Sequence, residues 1–202
     1  MKDTKEIVLF FEEGKSFEVL DVAKELINRF KVIGNPLILP ENKNNKVPLI
    51  VFNESNDMQI QVSKSAVTIL ISQKYFGKLA SIIFDIVDIF DAYKIRFIRI
   101  GCISSIFLNP DKIEVAIDRF LKRESFDDKL ENFNISWYHK LSSKYGDINI
   151  WERIIKDSNN FSDLLMQYDF NSIVGDKINL DMKYIKEFIK VSSEFIDSRV
   201  DF

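Results

Sequence analysis

Residues 58–108, MQIQVSKSAVTILISQKYFGKLASIIFDIVDIFDAYKIRFIRIGCISSIFL, decide the fold. Met58, Ile60 and Val62 alternate with Gln59, Gln61 and Ser63, the period of two expected of a strand with one wet face. Ser63-Lys64-Ser65 turns the chain, and Val67, Ile69 and Ile71 carry the returning strand. The period then changes. Leu79, Ile82, Ile83, Ile86, Val87, Ile89 and Phe90 recur at helical spacing over residues 76–93, with Asp85, Asp88 and Asp91 on the opposite arc. Phe97 to Leu108 reads as the next strand. Hairpin, amphipathic helix and strand make an α+β unit, and no cluster of catalytic residue types lies within it.

Upstream, Ile7 to Phe11 predicts a buried strand, and Ser16 caps a helix over residues 17–31 whose Val19, Leu20, Val22, Ala23, Leu26, Ile27 and Phe30 are expected on one buried face. Gly34 and Pro36 end that helix. Pro36-Leu37-Ile38-Leu39-Pro40 suits only a short or edge strand, since each proline lacks a ladder donor. Val47 to Asn53 is a further strand.

Downstream, Asn109-Pro110 opens a helix to about Lys122, with Asn as cap and Pro at the first position. Residues 133–145 and 148–156 predict a long hairpin around Gly146-Asp147, residues 164–172 alternate again, and a terminal helix spans residues 180–199. The order β-α-β-β-β-β-α-β-α-β-β-β-α predicts an α+β fold. It implies a mostly antiparallel, curved sheet built from consecutive hairpins, with three to four helices packed on it. We read residues 1–202 as a single domain, with a charged break near 122–132 where the sheet could divide in two.

Composition narrows the function. A net charge of −3 and a pI near 5.4 argue against nucleic-acid binding, which needs cationic surface to displace counterions. A nucleic-acid reading would rest on Lys-rich patches such as Lys43 and Lys46, or Lys183, Lys186 and Lys190, and a solvated face explains the last three equally well. A single cysteine, Cys102, excludes an intrachain disulfide and sits in an apolar strand as an inert thiol would. The amino-terminal residues lack a signal-peptide pattern, and no apolar run reaches membrane-spanning length. A cytoplasmic protein without a membrane role is expected.

Phosphate-binding glycine motifs are absent, and six glycines could hardly build one. With one histidine, His139, any His-based catalytic device must use that residue, yet no nucleophile elbow lies near it. Asp85, Asp88 and Asp91 could offer oxygen ligands to a cation, but the wet side of a helix accounts for them; Asp127-Asp128 and Asp169 are lone signals of the same kind, and Asp169-Phe170-Asn171 lacks the continuation of a calcium loop. Arg96 and Arg99, three apart at the start of a strand, should point to opposite faces if that strand is regular, and either could hold an anion. No catalytic residue, metal or cofactor is expected. The hairpin from Asn134 to Ile154 contains both tryptophans, Trp137 and Trp151, with Tyr138 and His139 between them. Such residues favour binding hot spots because they bury much area with few rotors.

Gln61 to Leu70, Tyr75-Phe76, Phe84, Arg99-Ile100-Gly101 and Leu164 to Asp169 carry a resemblance to a sporadically distributed bacterial family of small, largely uncharacterised cytosolic proteins. The resemblance implies the α+β layout and supplies no activity. Where that family continues after Arg-Ile-Gly with a further Arg, an aromatic residue and Asn, this chain has Cys102-Ile103-Ser104-Ser105.

Together these features point to a non-enzymatic protein that binds another protein, with Trp137, Tyr138, His139, Trp151, Arg96 and Arg99 as binding candidates. An accessory protein, inhibitor or immunity-type factor of a bacterial or phage conflict system, also able to form a homodimer, fits this reading. The alternative is a metal- or nucleotide-binding enzyme that joins the helix aspartates to Arg96 or Arg99.

Overall fold

The computed structural model describes residues 3–12, 17–30, 37–39, 49–54, 57–63, 65–108, 132–143, 146–157, 164–172 and 180–200, with Lys112, Val115, Ala116 and Asp118 as separate positions. The helix expected over residues 109–122 lies largely outside them. The described elements follow the expected order: β1 (Thr4–Phe11), α1 (Val19–Phe30), β2 (Leu37–Leu39), β3 (Leu49–Glu54), β4 (Met58–Val62), β5 (Ala66–Ser72), α2 (Leu79–Ala92), β6 (Phe97–Leu108), β7 (Asn132–Ser143), β8 (Gly146–Asp157), β9 (Leu164–Ser172) and α3 (Met182–Val200). A 3-10 helix over Gln73–Lys78 precedes α2, so the α-helix begins three residues later than its apolar pattern suggests.

The nine strands form one sheet in the order β2-β3-β4-β5-β1-β6-β9-β8-β7, with every neighbouring pair antiparallel. Two runs of hairpins, β2 to β5 and β7 to β9, flank a centre that hairpin logic does not supply. There β1 inserts between β5 and β6, and β6 pairs with β9. Strands from both sides of residues 122–132 therefore belong to the same sheet.

Register fixes two faces. Ile60, Ile69, Ile7, Cys102, Phe170 and Ile150 lie in one cross-strand row, and all are buried. This inner face lies under the helices. Phe90 of α2 packs on Phe11 and Phe97 at 5.0 and 5.3 Å between ring centroids, and on Phe17 at 5.5 Å. Phe195 of α3 packs on Tyr168 and Phe170. The outer face carries the alternate residues, among them Leu70, Thr68, Glu6, Ile103 and Asp169. Among the described residues no helix is long and apolar enough to cross a membrane.

The end of α2 shows why the following strand enters where it does. Ile95 N–H donates to Phe90 O at 3.1 Å and Lys94 N–H to Asp91 O at 2.8 Å, with Lys94 at φ 57°. This is a Schellman cap with a lysine in the left-handed position that glycine usually fills. The buried Ile95 after it anchors the turn.

Cys102 sits at the centre of the inner row, and burial pushes its thiol up to about 11. That elevation of about two units leaves about 100-fold less thiolate at mildly alkaline pH, and burial removes access as well. Alkylation of the native chain at pH 8 should therefore run at least about 100-fold slower than in denaturant. Equal rates would show that the centre of the sheet opens freely.

Candidate functional site at the β7–β8 end of the sheet

β7 and β8 pair from Asn132↔Asp157 to Ser143↔Gly146, so the hairpin closes through a two-residue connection. Gly146 adopts φ 137°, a conformation that side chains disfavour, and its carbonyl accepts a bond from Ser143 Oγ at 2.7 Å. Lys140 Nζ lies 2.7 Å from Asp147 Oδ2, and Ser142 Oγ donates to Oδ1 at 2.9 Å. The lysine, then the hydroxyl, hold the Asp147 carboxyl below its ordinary value.

On the outer face Tyr138 stands opposite Trp151. Their ring centroids are 5.2 Å apart at an interplanar angle of 57°. They remain 51% and 43% exposed. Tyr138 Oη donates to Asn149 Oδ1 at 2.5 Å, which fixes the phenol above the strand. In the next strand Trp151 faces Asp169, whose Oδ1 accepts from Asn171 Nδ2 at 2.6 Å. Burial raises the Asp169 pKa, while Asn171, Arg153 and Arg99 pull it back. Gly101 lies opposite Asn171, and a Cβ there would come within 3.0 Å of Asn171 Oδ1. The missing side chain thus lets Asn171 lie across the strand. Beyond it the Arg99 guanidinium stacks over Phe10, 3.8 Å from the ring centroid.

A second cluster occupies the inner face of the same hairpin. Glu152 is 2% exposed, in a row with Trp137, Tyr168 and Ser104. Its Oε2 lies 3.0 Å from His139 Nε2 and 3.8 Å from Arg199 Nε of α3. Its Oε1 is buried with no hydrogen-bond partner among the described residues. Phe195 packs against the His139 ring at 5.5 Å and carries the Arg199 guanidinium at 5.2 Å. A carboxylate that orients an imidazole is half of a general-base device. Here the same oxygen also faces Arg199, and the imidazole packs on Phe195, so the cluster ties the end of α3 to β7 and β8.

The six candidate residues therefore do not form one site. Tyr138, Trp151 and Arg99 lie on the outer face. Trp137 and His139 lie on the inner face, where Trp137 packs against the core. Arg96 precedes β6, exposed, and its carbonyl accepts from Glu12 N–H. The opposite-face expectation for Arg96 and Arg99 assumed a regular strand. Instead the β1–β6 register shifts so that Phe10 pairs with Arg99 and Phe11 with Phe97. Asp85 and Asp88 meet Arg29 of α1, at 3.0 and 2.8 Å. Asp91 is exposed.

Glu152 and Arg199 were not singled out from the sequence. A signal existed for Glu152, because Ile148, Ile150 and Ile154 share its parity, and a carboxylate in an inward isoleucine series needs a buried partner. No protein-family model matches the chain, and no curated protein matches it either.

Proposed function

We propose that the protein is a binding protein rather than an enzyme, and that it recognises another protein through the outer face around Tyr138 and Trp151. The supporting observation is the pair of large, half-exposed rings held side by side on a sheet surface. A rigid aromatic pair offers much apolar area at little entropic cost. Asn149, Arg153 and the Asp169–Asn171 couple surround it with the polar rim that interfaces use for register. Such a surface suits a cytoplasmic accessory protein, inhibitor or immunity-type factor of a bacterial or phage conflict system. The carboxylate-and-arginine enzyme gains no support, since Asp85 and Asp88 are bound by Arg29 over the inner face while Arg99 lies on the outer one.

Affinity capture from the host, followed by titration of the recovered protein, tests this reading. Tyr138→Ala with Trp151→Ala should weaken binding at least about 30-fold, the equivalent of about 2 kcal/mol at a hot spot. Thermal stability should change little, because both rings are substantially exposed. Recovery of no partner, or equal binding by the double variant, would refute the assignment.

A further inference from the structure

The two ends of the sheet are built differently. At one end β2 is three residues long and is flanked in sequence by Pro36 and Pro40, which have no N–H to offer an incoming strand. Shortness and proline are the means by which natural sheets blunt their edges. At the other end β7 runs for twelve residues without proline and without a shift in its register to β8. Its only lysine, Lys140, is drawn to Asp147. No strand lies beyond it among the described residues. Phe133, Ile135, Trp137 and Leu141 stand along its inner side, only partly buried.

We propose that β7 is an interface and that its occupant is β7 of a second copy, antiparallel about a two-fold axis near Trp137. With the axis at that residue, Phe133 meets Leu141, Ile135 meets His139 and Trp137 meets its own counterpart, all in the inner row. On the outer row Asn134 meets Lys140 and Ser136 meets Tyr138. No like charges oppose one another, and the mainly apolar row meets itself, as cross-strand pairing requires. With that axis residues 132–142 pair, eleven on each copy, a contact about 37 Å long. Among the described residues the assembly is also closed, since its remaining edges are the two blunted β2 strands. It brings two Tyr138–Trp151 pairs onto one continuous outer face, although it does not depend on the role proposed for those rings.

Light scattering of the full chain should return twice the 23.7 kDa of one chain. Ser136→Cys copies should join through a short bis-maleimide, because buried Cys102 does not compete. Ile135→Lys, which places a charge in the apolar row, should return the protein to single-chain mass with unchanged circular dichroism. A single-chain mass at all micromolar concentrations would overturn the proposal. A doubled mass without the Ser136→Cys cross-link, or a β7 edge taken up by a strand of a different protein, would do so too.

Discussion

Phe90→Ala is expected to lower folding stability by about 3–5 kcal/mol, the range for truncating a fully buried aromatic ring. Phe90 is 0% exposed and is the hub of four rings. It touches Phe11 of β1, Phe97 of β6 and Phe17 just ahead of α1. Its removal takes away the ring's dispersion contacts and leaves a void walled by three other rings, on rigid elements that cannot close over it. Leu20, expected on the buried face of α1, is instead 59% exposed, so Leu20→Ala is the control and should stay within about 0.5 kcal/mol. Urea unfolding followed by circular dichroism measures both. A loss below about 1.5 kcal/mol for Phe90→Ala would mean that the aromatic cluster does not unite these elements.

The second large effect concerns Glu152. Removing one partner of a buried ion pair strands the other charge, whereas replacing the whole pair with apolar groups is often neutral or favourable. Arg199→Met should cost about 2 kcal/mol, below the usual range for buried pairs because Arg199 is 33% exposed and 3.8 Å from the carboxylate. In a Glu152→Met background the same Arg199→Met change should cost close to nothing. That double variant should come within about 1 kcal/mol of the native protein, since removal of the unbonded Oε1 offsets the loss of the His139–Glu152 contact. Equal costs in the two backgrounds would show that Arg199 acts through its packing on Phe195 instead.

The element order was legible because each period is local: apolar residues at every second position in β4 (Met58, Ile60, Val62) and β5 (Val67, Ile69, Ile71), and isoleucines at helical spacing in α2. The pairing of β1 was not, because alternation says which face is wet but does not name the neighbour. Nor was the fate of Asp85 and Asp88. They looked like a solvated acidic face, and only the packing of α1 beside α2 brings Arg29 to them. The aromatic hairpin was legible as a place and also as two faces. Parity separates Trp137 and His139 from Tyr138, and the apolar set Phe133, Ile135, Trp137 and Leu141 against Asn134, Ser136, Lys140 and Ser142 was the signal for which side points inward. No composition signal marks the register shift at Phe10 and Phe11, which leaves Arg99 on the face opposite the buried Phe97 two residues before it.

The central position of β1 has a consequence for how the chain is made. Ile7 finds its two neighbours only in Ile69 and Cys102, so one flank of an apolar strand waits for residues translated much later. At about 5–20 residues per second that interval is roughly 5–20 s on the ribosome. Such non-local pairing also slows refolding of the whole chain. During that interval Ile7, Leu9 and Phe11 belong to a strand that lacks at least one of its two neighbours, the kind of open edge that favours association until it is paired.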